Sequence, residues 1–393
     1  MTLDISKFHR RTPIAPAHKH RYVTQFRPGE FWLNHCVPFG SSPAESNSSE
    51  TGNFTLAVWK CLGIGPVVKW SDDHNIFRFP IAGDGITTPF SYAYDSQKVL
   101  EAVASIGVPW HPFSSKGQDF SSITTYTGFC WDIRSHQVYL PERKRKKFSR
   151  RVEEFKAKCT STGVTVEEAM KIQGTLVHII FVCPQGRSYL PRLSRFIANC
   201  NATNSNEFVQ KHPERAVITE LNFWMSFLSQ PASPRTLKQR GPPIDLNISV
   251  DASTSWGIGV TMGICWAGWE INPGFANGPF GKIGLLEALA VELIVYILEA
   301  LGYRDCCITV LSDNKGVIGA YLRGRSRNVL VNLSIRRVTA ILWERNISLN
   351  LIYIRSAENP ADPISRGILG QPDRCISAPF RLPEELEPLL SYA

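Results

Sequence analysis

From Leu246 to Ile271 the chain alternates apolar positions with small or polar ones in three short runs. The first passes through Asn247-Ile248-Ser249-Val250-Asp251, the second through Trp256-Gly257-Ile258-Gly259-Val260, and the third extends from Gly263 to Ile271. Alternation of period two, broken by short polar turns, predicts three antiparallel strands. The period then changes. Ile283, Leu286, Ala290, Leu293, Ile294, Ile297 and Leu301 recur at helical spacing and predict a helix over 283–301. Cys306 to Leu311 is a β-branched run that ends just before Asp313, and Asn314 is placed to cap a helix over about 315–322. A further helix is predicted over 328–345, a strand over Ser348–Ile354, and a last short helix within 359–366. The predicted series is βββαβααβα.

The rest of the chain is less regular. Residues 41–56 are rich in Ser, Glu, Asn and Gly and read as a loop or an irregular helix entry. Residues 229–245 are Pro-rich and read as a linker, which divides the chain into about 1–230 and 246–370. The tail beyond about 371, with its prolines and acidic residues, is expected to be loosely held. No internal repeat is evident. No apolar run reaches the length of a membrane span, and Met1-Thr2-Leu3-Asp4 carries no basic-then-apolar segment, so neither a span nor a secretory signal is expected.

Charge and cysteine usage narrow the class. The net charge is +9, and the excess lies before residue 246, whereas 246–370 is nearly neutral. A basic N-terminal portion suits contact with a polyanion such as a nucleic acid backbone. Ten cysteines are scattered without a Cys-x-x-Cys pair, and no His pair has zinc spacing. Reduced thiols in a cytoplasmic or nuclear protein fit this pattern best.

Candidate chemistry concentrates in carboxylates. Val250-Asp251-Ala252-Ser253, Leu286-Glu287-Ala288-Leu289, Leu311-Ser312-Asp313-Asn314 and Asn359-Pro360-Ala361-Asp362 each set one acid at a strand end or on a helix. Singly, such an Asp is most often a turn former and Glu287 a solvated helix position. Glu292 is a rival for the role of Glu287. Jointly, the order Asp, Glu, Asp, Asp on this element series resembles a ribonuclease H-like domain. The stretch Asn359-Pro360-Ala361-Asp362-Pro363-Ile364-Ser365-Arg366 is similar to the Asn-x-Ala-Asp-x-x-Ser-Arg signature of retrotransposon nucleases. The resemblance implies that Asp251, Glu287, Asp313 and Asp362 meet at one sheet edge and hold two Mg²⁺ ions, with Mn²⁺ as a substitute. Tyr353 stands where many such domains carry a His that assists proton transfer or product release, so slow cleavage is expected.

A second acidic set lies upstream. Asp72-Asp73 follows Val68-Lys69-Trp70-Ser71, and Asp4 lies within Leu3-Asp4-Ile5-Ser6-Lys7-Phe8. Adjacent carboxylates repel and favour a cation or solvent nearby. Pro38-Phe39-Gly40-Ser41-Ser42-Pro43 lies between these acids, and Gly107-Val108-Pro109-Trp110-His111 with Lys116, Thr127-Gly128-Phe129-Cys130-Trp131-Asp132 and Val138-Tyr139-Leu140-Pro141 follow in order. This colinear series resembles the palm and primer-grip motifs of reverse transcriptases, closest to the DIRS-like class of retrotransposons. It implies that Asp4, Asp72 and Asp73 bind two Mg²⁺ ions and that Lys116 protonates the leaving pyrophosphate. Gly40 would grip the template. Arg143, Lys144, Lys146 and Lys147 would track duplex phosphates from a thumb helix, and Arg187 would lie in the connection. Trp70 replaces the usual Tyr before x-Asp-Asp, and His9 stands where an aromatic residue excludes ribonucleotides.

The expected architecture is therefore α+β and α/β: a truncated reverse transcriptase palm (1–125), a primer-grip hairpin with helical thumb and connection (126–230), a linker (231–245), a ribonuclease H-like domain built on a mixed five-stranded sheet with flanking helices (246–370), and a tail (371–393). The fingers that precede the palm are expected to be absent, leaving the first strand with an unpaired edge. The expected partners are an RNA–DNA hybrid or primer–template, with deoxynucleoside triphosphates where polymerisation survives, and no membrane. Cleavage of RNA in hybrids is the favoured activity. A non-catalytic nucleic-acid-binding remnant is the alternative, and an unrelated basic scaffold is the least favoured.

Overall fold

The computed structural model describes residues 1–41, 44–82, 90–202, 209–231, 234–377 and 380–393. The chain divides into two compact units, Met1–Pro141 and Glu142–Ala393.

In the first unit a three-stranded antiparallel sheet places Asp73–Ile76 between Thr2–Asp4 and Val67–Trp70. Trp70 pairs with Asp73 across the turn Ser71-Asp72, and Ser71 adopts a positive φ of 55°. The outer edge of Thr2–Asp4 is covered, contrary to expectation. Thr2 and Gln118 exchange backbone hydrogen bonds of 2.8 and 3.0 Å, and the Asp4 carbonyl accepts the His111 N–H at 2.9 Å. The chain returns over 109–118 and supplies the partners that an exposed edge would lack. Gly117, at φ +87°, permits this return, since a Cβ there would sit 2.7 Å from the Thr2 carbonyl.

The stretch expected as a loop or an irregular helix entry is a regular helix, Ala44–Cys61. Its buried face is Ala44, Ser48, Gly52, Thr55 and Trp59, at helical spacing but small or polar. A hydrophobic periodicity therefore could not reveal it. Trp59 anchors the helix, stacking on Trp110 and donating to the Val99 carbonyl at 2.8 Å. Further along, Ile123–Tyr126, Phe129–Asp132 and Gln137–Tyr139 form an antiparallel meander whose first turn is Thr127-Gly128, both at positive φ.

The second unit opens with helices Glu142–Thr160, Val166–Ile179, Pro191–Ala202 and Arg215–Ser229. Phe148, Val152, Phe155 and Cys159 form one buried stripe on the first, leaving Arg143, Lys146 and Lys147 exposed on the other face. Thr165 and Glu168 form a reciprocal capping box at the second. Gly186 is fixed by packing, because a Cβ there would lie 2.1 Å from the Trp224 ring.

Among the described residues, the sheet of this unit has six strands. Pro243–Ala252, Gly257–Met262 and Cys265–Ile271 run antiparallel in sequence order, and Cys307–Ser312 and Ser348–Tyr353 add in parallel on the other side. The sixth strand, Leu390–Tyr392, comes from the tail and pairs with Cys265–Ile271. Leu386, Leu389 and Leu390 are buried in the same core, so the tail is an integral edge and not a loose end. Helix Ile283–Ala300 is buried over Leu285–Leu298 on nearly all sides, between the sheet and helix Val329–Glu344. The linker expected over 229–245 lies partly outside the described residues, and from Pro243 it is already strand.

Candidate active site

Strand pairing sets the first two carboxylates. Val250 lies beside Ser312 in the parallel pair, so Asp251 and Asp313, each the next residue, leave the sheet at neighbouring points. Helix Ile283–Ala300 crosses this end and presents Glu287. Asp251, Glu287 and Asp313 each offer a carboxylate oxygen within 4.8 Å of the other two. Glu292, one turn further on, is turned away and paired, accepting from Arg337 at 2.5 and 2.9 Å and from the Tyr296 hydroxyl at 2.5 Å. The glutamate facing the two aspartates is thus Glu287.

Neutral donors hold this group. Ser365 Oγ donates to Asp251 Oδ2 at 2.5 Å, and Asn359 Nδ2 donates to the Val250 carbonyl at 3.0 Å and reaches Asp251 Oδ1 at 3.4 Å. Ser356 Oγ donates to Asp313 Oδ2. Asn314 accepts the Val317 N–H at 3.1 Å as the helix cap, and its amide faces Glu287. Glu287 Oε2 is buried and has no hydrogen-bond partner. Burial, then repulsion from Asp251 and Asp313, pushes Glu287 up to about 8. Burial, opposed by the Ser365 hydrogen bond and reinforced by Asp313 and Asp362, pushes Asp251 up to about 6. Three converging carboxylates, one with an orphaned buried oxygen and none in an ion pair among the described residues, could hold a metal ion. An all-oxygen donor set suits a hard divalent cation.

Asp362 departs from expectation. It stands outside the three-carboxylate group, and Arg366, four residues on, takes its carboxylate with Nε and Nη2 at 2.8–3.1 Å. The guanidinium holds Asp362 below the usual carboxylate range. The short helix Asp362–Ser365 docks where strand Gly257–Met262 offers Gly259, the register partner of Asp251. A Cβ on Gly259 would meet the Ala361 carbonyl and the Ser365 N–H, both at 2.5 Å. The roles of Asn359, Ser365, Ser356 and Gly259 at the carboxylates escaped residue-by-residue reading, whereas Asn314, expected as a helix cap, caps that helix and also faces Glu287. Asn359 and Ser365 belong to a stretch the sequence marked, but their contacts with Asp251 needed the fold. Tyr353 lies at the end of the parallel edge strand, its ring 4.4 Å from Lys315 Nζ.

The first unit assembles the other acidic set. Asp4 and Asp73 are direct cross-strand partners, and Asp72 occupies the adjacent turn. Here an ammonium intervenes: Lys116 Nζ donates to both Asp4 oxygens at 3.0 and 3.2 Å, and the His111 ring Nε2 lies 3.5 Å from Oδ1. Burial, then repulsion from Asp72 and Asp4, pushes Asp73 up to about 6. The contact with Asp4 raises Lys116. His74, buried between Trp59 and Trp110 with Nδ1 facing the Asp72 carbonyl at 3.1 Å, is lowered to about 4 by burial. His9 packs edge-on against Phe39, beside Gly40, which takes a φ of +83°. Ser42 and Pro43 of that segment lie outside the described residues.

Of the other expected contact residues, Lys144 is half-buried, Lys146 pairs with Glu142 at 2.8 Å, and Arg187 is exposed with its stem beside Gly324.

No protein-family model matches the chain, and no curated protein does. Among solved structures the chain is similar to the foamy viral protease-reverse transcriptase in complex with RNA/DNA hybrid, at 14% identity and a TM-score of 0.44, over 97% of this chain and 46% of that one. Two double-stranded DNA complexes of that viral protein are similar at 16% identity and a TM-score of 0.40, covering 89% and 90% of this chain and 56% and 67% of theirs. The chain thus spans about half the length of the first two of these three structures.

Proposed function

We propose that the chain is a retroelement reverse transcriptase–ribonuclease H segment of DIRS-like type that cleaves the RNA strand of RNA–DNA hybrids. The observation that supports this best is the convergence of Asp251, Glu287 and Asp313 around an uncompensated negative centre. The strand order of the six-stranded sheet, three antiparallel strands followed by two parallel ones, agrees with a ribonuclease H-like domain. Asp251, Glu287 and Asp313, joined by Asp362 once Arg366 releases it, would hold two Mg²⁺ ions. Bound there, the ions supply an activated water and stabilise the leaving oxygen. Ser365 and Asn359 fix the Asp251 carboxylate, and Ser356 fixes that of Asp313. Glu287 must lose its proton before it can act as a ligand.

In the same reading, residues 1–125 are a partial palm and 126–230 the primer grip, thumb and connection. Residues 231–245 link these to the nuclease domain. Asp4, Asp72 and Asp73 are the nucleotidyl-transfer carboxylates, with Lys116 beside them. Gly40, Arg143, Lys144, Lys146, Lys147 and Arg187 contact the primer–template.

The test is Mg²⁺-dependent cleavage of a labelled RNA–DNA hybrid. The Asp313→Asn variant should lose at least about 10³-fold in rate, roughly 4 kcal/mol of transition-state stabilisation, while staying folded. Equal cleavage by both chains would refute the site. Binding without cleavage by either would replace the proposal with a non-catalytic nucleic-acid-binding remnant.

A further inference from the structure

Away from both acidic centres, a cavity of about 140 Å³ opens between helix Pro191–Ala202 and helix Val329–Glu344. Four arginines from three separate segments line it: Arg192 and Arg195, Arg327, and Arg336. Thr219 and Ser326 also line it.

The cluster is held rigidly from below. Glu220 is buried and accepts the backbone N–H groups of Arg192 and Leu193 at 3.1–3.2 Å, occupying the start of that helix. Arg336 donates to Glu220 at 3.2 Å and to the Ser188 carbonyl at 2.9 and 3.1 Å, and its guanidinium lies over the Tyr189 ring. Asn332 fixes the rim, accepting the Ser326 N–H at 2.9 Å and donating to Ser188 at 2.8 Å. Arg192 reaches Glu214 at 3.4 Å.

Charge does not balance at the mouth. Arg195 and Arg327 are exposed and have no carboxylate partner among the described residues. Glu220 is the lone acid in the lining. Burial, with repulsion from Arg192, holds Arg336 below its usual range. Like charges gathered from positions far apart in the chain are stabilised by an anion seated among them, and guanidinium groups match phosphate oxygens in pairs. The larger cleft of about 630 Å³ beside Arg235, Lys238 and Arg240 is less selective, since Asp305 and Glu344 share its lining.

We infer that this arginine cavity is a phosphate-binding site that grips one backbone phosphate of a bound nucleic acid strand, outside the cleavage centre. The inference rests on the nucleic-acid reading of the chain but not on catalysis. Arg327 and Arg195 close on the phosphate, and Arg336, locked by Glu220 and Ser188, forms the floor.

The test uses the full chain carrying Asp313→Asn to prevent turnover, with and without Arg195→Ala and Arg327→Ala. Binding of a labelled RNA–DNA hybrid is measured across a salt series. Affinity at about 100 mM salt should fall roughly tenfold, and the slope of log affinity against log salt should drop by about one. Unchanged affinity and slope, with melting temperature unchanged, would overturn the site. Phosphorus NMR with inorganic phosphate separates the sources: phosphate binding that needs both arginines, beside unaltered hybrid binding, assigns the cavity to a free anion and refutes the backbone role. Cleavage failing in the Asp313-intact chain while the arginine effect persists would defeat the nuclease and leave this site standing. The reverse pattern would defeat this site alone.

Discussion

The two acidic centres are both built from three carboxylates but differ in what surrounds them. At Asp251, Glu287 and Asp313 the partners are hydroxyls and amides, which orient the carboxylates without neutralising them. At Asp4, Asp72 and Asp73, Lys116 and His111 already sit on Asp4. A cation entering the first centre fills a deficit; one entering the second competes with an ammonium group. Burial raises an acid from each centre, but the group pushed furthest, Glu287, belongs to the centre without a cation.

The largest effect that could break this contrast is the loss of cleavage in Asp313→Asn described above. Next is Gly259→Ala. The added Cβ would drive the 362–365 helix off the strand and carry Ser365 away from Asp251. It should cost about 2–3 kcal/mol in denaturant unfolding and reduce Mg²⁺ affinity. Unchanged stability would mean that the helix is not tightly docked.

pH dependence sharpens the comparison further. Asp251 and Glu287 have folded-state values raised to about 6 and about 8, so the unfolded chain loses these protons first. Their contribution to the stability of the metal-free protein therefore falls as pH rises from about 4 through about 8. Metal binding must displace the same protons. Mg²⁺ affinity should rise up to about tenfold per pH unit between 6 and 8, with proton uptake by buffer visible in calorimetry. Glu287→Gln should flatten the upper part of that curve. A flat profile in the parent would show that these carboxyls are already ionised.

The smallest effect concerns the first unit. Lys116→Met removes the ammonium from a nearly buried Asp4 and should cost about 1 kcal/mol without metal, because Lys116 itself is half exposed. The melting-temperature gain on adding Mg²⁺ should increase in this variant, since no ammonium competes. If the gain is unchanged, Lys116 is not the charge that quiets this second acidic centre.

Much of the second unit was legible in the chain. The expected helices at 283–301, 315–322 and 328–345 and the strands at 306–311 and 348–354 agree with the structure to within one or two residues. These elements bury long apolar runs whose period is written in the residues. Helix Ala44–Cys61 was not legible, because its inner face is Ser48, Gly52 and Thr55 with only Trp59 as a large anchor. The tail strand misled for a related reason. Leu386, Leu389 and Leu390 are too few to set a period, and they gain order from the edge of Cys265–Ile271.

Sequence alone determined which carboxylates were available and on which kinds of element they sat, because local pattern and capping chemistry act over a few residues. Tertiary structure decided which of them share a centre. It turned Glu287 inward and gave Glu292 to Arg337, and it left Asp362 with Arg366. It also gathered Arg192, Arg195, Arg327 and Arg336 around one cavity. Those outcomes depend on distances between residues far apart in the chain, and electrostatic interaction is fixed by distance and burial, neither of which is written in local order.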